Sequence, residues 1–227
     1  MTDEITVVVV DDHPLFRQGV TDSLSLEPDI QVVGQAENGQ KGLDLLRKYR
    51  PQVAVVDVNL PDMNGQVLTL RAGSEKLPTR IILLTAYDDH GQRIYGIRAG
   101  AYAYSSKEIQ PEALARMVRI VASGWYVVGE QVFDANELAA WLQSQVPGMQ
   151  EADHRLDEPP YQLLSEREME VLKCIASGLS NKEIALALGI SHQTVKNHVT
   201  SILHKLGVDD RTQAVLYALR YGWVRIK

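Results

Sequence analysis

No apolar stretch of this 227-residue chain approaches the roughly 20 residues that a membrane-spanning helix needs. Positive charge is lacking at the start, where Met1-Thr2-Asp3-Glu4 is acidic, unlike the basic opening of a secretory signal. Cysteine is reduced to a single residue, Cys174, which excludes an internal disulfide. It lies between Leu172 and Ile175 in an amphipathic segment, where a small core residue is expected. These absences together point to a cytoplasmic protein. There is no internal repeat and no low-complexity tract. No G-x-G-x-x-G follows the first apolar run, which argues against a dinucleotide enzyme.

What is present is a globular composition, 45% hydrophobic and 23% charged, in a chain long enough for two ordinary domains. The net charge of −6 is unevenly spread. Residues 1–143 carry net −6 and residues 144–162 net −3, whereas 163–227 hold 9 basic and 6 acidic residues, net +3. A basic C-terminal third on an acidic chain is compatible with binding a polyanion.

The first 122 residues alternate short apolar runs with helical patterns. Strands are expected at 5–10, 30–36, 52–57, 79–84 and 101–105, and helices at about 14–25, 39–50, 64–73, 88–99 and 110–122. Such alternation argues for βαβ units and a parallel sheet covered by helices. Pro14 suits the first turn of its helix, and Pro51 and Pro78 lie where helices should have ended. A further helix is expected at 134–145, with Leu138, Trp141 and Leu142 on one face. Residues 146–160 have prolines and acids but no periodic apolar face, and read as a linker.

After the linker the pattern is helical. Ser165-Glu166-Arg167-Glu168 and Ser180-Asn181-Lys182-Glu183 both fit the capping box. Gly178 and Gly189 fit helix stops, Ser191 can cap a third helix to about Leu206, and residues 211–221 form a fourth. The short break Leu188-Gly189-Ile190-Ser191 signals a helix-turn-helix. In its second helix Val195, Val199, Ile202, Leu203 and Leu206 form one apolar stripe. The opposite side offers Gln193, Asn197, Thr200, Ser201 and His204, flanked by Lys196 and His198. The second helix of such a motif is the one that enters the major groove.

Acids close two of the apolar runs: Asp11-Asp12 follows Ile5–Val10, and Asp57 follows Val53-Ala54-Val55-Val56. Ligands of open α/β sheets sit outside the carboxyl ends of the strands, so three carboxylates should converge on one pocket. Hard oxygen donors of this kind suit Mg²⁺ and a phosphoryl group, and one carboxylate can become an aspartyl phosphate. Thr85 ends the fourth run and Lys107 follows the fifth, positions from which both would face the same pocket.

Asp11-Asp12, Asp57, Thr85 and Lys107, with Asp57-Val58-Asn59-Leu60-Pro61-Asp62-Met63-Asn64-Gly65, resemble the receiver domain of two-component response regulators. The opening Asp11-Asp12-His13-Pro14-Leu15-Phe16-Arg17-Gln18-Gly19 resembles the NarL/FixJ branch in particular. The resemblance implies a flavodoxin-like α/β fold with a five-stranded parallel sheet of order 2-1-3-4-5. It implies Asp57 as phosphoacceptor, with Mg²⁺ held by Asp12, Asp57 and the backbone carbonyl of Asn59, and Asp11 supporting the metal waters. Thr85 and Tyr104 would form the switch, the Tyr104 ring turning inward as phosphate draws in the Thr85 hydroxyl. Asn59 and Tyr87 would bear on the lifetime of the phosphate. Ser105-Ser106 is more polar than the aliphatic pair usual in this branch.

Residues 164–225 resemble the LuxR-type DNA-binding domain through Leu164-Ser165-Glu166-Arg167-Glu168, Gly178-Leu179-Ser180-Asn181-Lys182-Glu183-Ile184-Ala185 and Thr194-Val195-Lys196-Asn197-His198-Val199. This implies an all-α four-helix domain with Lys196, Asn197 and Thr200 facing the major groove. Asn181, Lys182 and Thr194 would lie nearer phosphates, and Val215, Leu216 and Leu219 would serve self-association or close the core, which some of them must do. The expected division is a receiver at 1–125, an extension helix and linker at 126–162, and the helix-turn-helix domain at 163–227. The expected partners are a sensor histidine kinase, double-stranded DNA and a second copy of the chain on activation, with no membrane.

Two other readings stand beside this one. In the first, DNA binding is independent of phosphorylation and the receiver is a dimerisation module. In the second, Asp57 is the nucleophile of a Mg²⁺-dependent phosphohydrolase, but the position for its general acid holds Asn59, which does not readily give up a proton.

Overall fold

The computed structural model describes residues 4–86, 90–144, 164–206, 208–220 and 223–224. Tyr87 and the expected linker at 146–160 lie outside these residues. The chain divides into two compact units, Met1–Met149 and Gln150–Lys227. No helix among the described residues is long and apolar enough to cross a membrane.

In the first unit the strands β1 (Ile5–Val10), β2 (Ile30–Ala36), β3 (Val53–Asp57), β4 (Arg80–Thr85) and β5 (Ala103–Ser106) alternate with helices. These are α1 (Pro14–Ser25), α2 (Gly39–Tyr49), α3 (Gly65–Ser74), α4 (His90–Arg98) and α5 (Pro111–Ala122). Alternate side chains of each strand point to opposite faces, so continuous apolar runs build two cores. Val7, Val9, Val53, Val55, Ile82 and Leu84 pack with Val20 and Leu24 of α1 and with Leu114 and Val118 of α5. Val8, Val10, Ala54, Val56 and Leu83 pack on the other side with Leu43, Leu46, Leu68 and Ile97 of α2, α3 and α4.

The sheet order is β2-β1-β3-β4-β5-β6-β7, so the expected order of the first five strands is present and two further strands extend it. This corrects the five-stranded expectation. Strand β6 (Tyr126–Val128) pairs parallel with β5, and β7 (Gln131–Phe133) returns antiparallel. Three residues of alternation are too few to announce a strand in sequence. Their pairing is supported by tertiary contacts instead. Tyr126 stacks on Tyr102 at 4.3 Å, and the Arg80 guanidinium lies 5.6 Å from the Tyr102 ring centre. Helix α6 (Ala135–Ser144) then buries Leu138 in the core that holds Val128, with Trp141 tilted against Phe133 at 5.8 Å.

The second unit is α7 (Glu166–Ala176), α8 (Asn181–Leu188), α9 (His192–Leu206) and α10 (Arg211–Arg220). Both capping boxes are present, Ser165 with Glu168 and Ser180 with Glu183. Gly189 ends α8 at φ 64°, a left-handed cap that lets the chain turn directly into α9. Val171, Leu172, Ile184, Val195, Ile202, Ala214 and Ala218 close the core between the four helices.

If α6 is an integral part of the first unit, Leu138→Ala will lower its unfolding free energy by about 2–5 kcal/mol in urea titration. A change indistinguishable from that of a surface substitution would show that the sheet extension is dispensable.

Candidate functional site

The carboxyl ends of β1, β3 and β5 bring Asp11, Asp57 and Lys107 together. The Lys107 ammonium lies 2.6 Å from Asp11 Oδ2 and 2.9 Å from Asp57 Oδ2. It also lies 4.8 Å from the centre of the Phe16 ring, whose face favours a cation. Both carboxylates are almost wholly buried, at 2% exposure each. Asp12 is more open, and Nδ1 of the neighbouring His13 lies 2.9 Å from its Oδ1. Ligand atoms of Asp11, Asp12, His13 and Asp57 all lie within 4.8 Å of one another. One ammonium facing three carboxylates leaves an excess of negative charge. A set of oxygen donors with that charge fits a hard divalent cation; His13, a nitrogen donor, is less suited to Mg²⁺.

Local structure aims these groups. The His13 backbone N–H donates to Asp11 Oδ1 at 2.8 Å, and Arg17 Nη1 donates to the Asp11 carbonyl at 2.6 Å. After β3 the Asn59 N–H donates to Asp57 Oδ1 at 3.0 Å. The loop closes through Gly65 N–H to Val58 carbonyl at 2.8 Å and an Asn59–Asn64 bridge. Gly65 is required there, because a Cβ would sit 2.4 Å from the Asp57 carbonyl oxygen. Asp62 ties the loop tip to the start of α2, accepting from the Gly39 and Gln40 N–H groups at 2.7 and 2.8 Å.

Burial pushes the Asp57 carboxyl up to about 6, even though Lys107 and the Asn59 N–H pull the other way. It is therefore ionised at neutral pH yet poorly solvated, which suits a nucleophile. Thr85 ends β4 fully buried, its carbonyl accepting from the Lys107 N–H at 2.7 Å. Tyr104 lies farther back on β5, completely buried, with its hydroxyl donating to Gln92 Oε1 of α4 at 2.9 Å.

In the second unit, Lys196, Asn197 and Thr200 are exposed along one side of α9, opposite the buried Val195, Ile202 and Leu206. Gln193 Nε2 donates to Asn197 Oδ1 at 3.1 Å. Thr194 is half-buried and its hydroxyl bonds Ser191 Oγ at 2.8 Å, within the cap of α9. Lys182 is exposed, whereas Asn181 is half-buried with its side-chain oxygen enclosed. Ser201 does not belong to the open face where the helical pattern put it. Its hydroxyl donates to Glu168 Oε1 at 2.6 Å, and Lys205 Nζ reaches Glu168 Oε2 at 2.8 Å. Burial alone would raise the Glu168 carboxyl, but the donors from Lys205, Ser201 and Ser165 outweigh it and hold it at about 2. Sequence showed Glu168 only as a capping residue; its grip on α9 spans 33 positions and left no local signal.

A poised carboxylate at the switch edge of a doubly wound sheet, carried in one chain with a helix-turn-helix, defines a signal-controlled DNA-binding protein. Residues 7–119 match the response regulator receiver domain family, and residues 162–218 match the luxR family of bacterial regulatory proteins. The transcriptional regulatory protein DegU of Brevibacillus brevis is 36% identical over 99% of this chain and 97% of its own. The nitrate/nitrite response regulator NarL of Escherichia coli K12 is 34% identical over 93% and 94%. Among solved structures, the signal receiver domain of NarL from Mycobacterium tuberculosis superposes at TM-score 0.53 with 35% identity. It covers 54% of this chain and 98% of that one. The RcsB response regulator of Salmonella typhimurium, at 22% identity and TM-score 0.59, shares the fold over 96% of this chain and 98% of its own. The chain belongs to the response regulators that join a receiver domain to a LuxR-type helix-turn-helix domain, transcription factors controlled by phosphorylation.

Because the folded state raises the Asp57 pKa from 3.8 to about 6, it binds that proton more tightly than the unfolded chain does. Ionised Asp57 thus costs stability above about pH 6. In divalent-free buffer Asp57→Asn should stabilise the receiver at pH 7 by roughly 1–3 kcal/mol, the gain fading toward about pH 4. A less stable variant at pH 7 would overturn the burial argument. Glu168 has the opposite sign: its depressed pKa contributes stability that is full above 4.5 and lost as pH falls through about 2. Glu168→Gln should lower the stability of the helical unit by roughly 1–3 kcal/mol at neutral pH. That deficit should shrink in acid, followed by circular dichroism melts.

Proposed function

We propose that Asp57 accepts a phosphoryl group from a sensor histidine kinase and that this modification controls DNA binding by the C-terminal unit. The observation that carries the proposal is Lys107 spanning Asp11 and Asp57 at the strand ends. An Asp57 oxygen would attack the phosphorus of a phosphohistidine, the P–N bond breaking and the imidazole leaving as the new P–O bond forms. Lys107 would stay paired with Asp11 while turning toward the phosphoryl oxygens. Asp11, Asp12, Asp57 and the Asn59 carbonyl would hold Mg²⁺, which when bound neutralises charge between the carboxylates and the incoming phosphoryl group. No catalytic turnover of small phosphate esters follows from this reading.

The Thr85 hydroxyl would move toward the phosphoryl group, with Tyr104 as the second part of the switch, altering the surface around α4 and β5. Lys196, Asn197 and Thr200 would read base edges of double-stranded DNA, with Lys182, Asn181 and Thr194 nearer the backbone. A homodimer formed on activation would read half-sites about one helical turn apart. Leu216 of α10, 60% exposed, is the apolar group best placed for self-association, since Val215 and Leu219 pack partly into the core. The surplus of positive charge on this unit is small, so pairing two units would raise affinity through effective concentration. A cytoplasmic location goes with a kinase partner and a DNA target.

Incubation with acetyl phosphate and Mg²⁺ should add one phosphoryl group to the wild-type chain and none to Asp57→Asn, read by intact mass. The phosphorylated protein should bind its operator more tightly. An adduct retained by Asp57→Asn would place the acceptor elsewhere, and equal DNA affinity with and without the adduct would leave the receiver as a dimerisation module only.

A further inference from the structure

Two positions of α4, Gln92 and Gly96, form a slot for the Tyr104 ring. Its hydroxyl donates to Gln92 Oε1 at 2.9 Å, and Gln92 is itself only 3% exposed. One turn farther along α4, a Cβ on Gly96 would sit 2.5 Å from Tyr104 Cδ2 and 3.0 Å from Cε2. No side chain larger than hydrogen leaves room for the ring there. Residues 92 and 96 are four apart, so they share one face of the helix. One receives the polar tip of the tyrosine and the other its flat body. The same end of α4 is fastened toward β5, the Gly96 carbonyl accepting from the Ala101 N–H at 3.1 Å.

We propose that Gln92 is a positioning residue for the Tyr104 switch, its amide oxygen and the bare backbone of Gly96 forming a slot that holds the ring inward and couples α4 to β5. The inference rests on the switch role given to Tyr104 above and adds the groups that set its position. A glutamine oxygen is a neutral acceptor that keeps its place at any physiological pH. A buried hydroxyl deprived of its acceptor is costly, so loss of Gln92 Oε1 favours positions of the ring that reach water. Outward movement of the ring breaks this bond and empties the slot beside Gly96. The α4–β5 surface therefore changes with the tyrosine and not independently of it.

The test uses the full chain labelled with 3-fluorotyrosine, in which nine tyrosines give signals and that of Tyr104 is identified by its loss in Tyr104→Phe. In Gln92→Leu, which keeps the apolar bulk and removes the acceptor, a soluble paramagnetic agent should relax the Tyr104 fluorine at least about fivefold faster than in wild type. Gly96→Ala should do the same through the steric route. A Tyr104 signal as protected in Gln92→Leu as in wild type overturns the slot. At equal phosphoryl occupancy, checked by intact mass, Gln92→Leu should dimerise at least about fivefold more weakly by sedimentation. The double variant Gln92→Leu/Tyr104→Phe should recover most of that loss, because no hydroxyl is then left to satisfy. A loss that the double variant does not recover overturns the hydrogen bond as the cause. If phosphorylated and unphosphorylated wild type dimerise alike, the switch reading fails, and the fluorine measurement still decides whether Gln92 holds the ring.

Discussion

The Lys107 ammonium is shared by the buried carboxylates of Asp11 and Asp57, and the architecture of the receiver follows from making that contact possible. Two carboxylates this close repel each other, and burial makes the repulsion worse. A cation between them reduces the cost without removing it, as the raised Asp57 pKa shows. The arrangement requires β1, β3 and β5 to end at the same edge, which a parallel sheet achieves by covering both faces with crossover helices. The two valine-rich cores supply the burial that compensates for this strained polar centre. Gly65 and the Asp62 contact to α2 then hold the following loop against Asp57.

The helical unit holds a buried carboxylate of opposite character. Glu168 receives donors from the start of its own helix and from Ser201 and Lys205 on α9, and its pKa falls to about 2. At Asp57 desolvation by burial outweighs Lys107 and the Asn59 N–H, and its pKa rises to about 6. The pKa of the same functional group is thus raised in one unit and lowered in the other by the balance between desolvation and the donors that oppose it. An inert, fully bonded carboxylate suits a structural tie between α7 and the helix that presents Lys196, Asn197 and Thr200. A strained one suits a group that must be modified.

Much of this was legible in the residues. Apolar runs of Val, Ile and Leu bounded by turn residues located the first five strands to within two residues. The capping boxes at Ser165 and Ser180 located two helix starts, because a capping serine and its glutamate act within one turn. The hairpin at 126–133 was not found, since three-residue strands are held by stacking of Tyr126 on Tyr102 and by the docking of α6 rather than by their own pattern. Ser201 was placed on the open face by helical periodicity, which does not know where a neighbouring helix supplies a partner. His13 stood beside Asp11-Asp12 in sequence, yet only the fold showed its ring against both carboxylates.

Sequence alone determined the kind of elements, the order of the first five strands by family resemblance, and the chemical identity of the acidic centre. Those features depend on local periodicity, on capping within a turn, and on residue types at strand ends. The tertiary structure alone decided which charges share Lys107, how far burial raises Asp57, that two further strands join the sheet, and that Gln92 and Gly96 receive the Tyr104 ring. Each of these depends on groups far apart in the chain being brought within a few ångströms, where desolvation and steric fit act and no spacing rule records them.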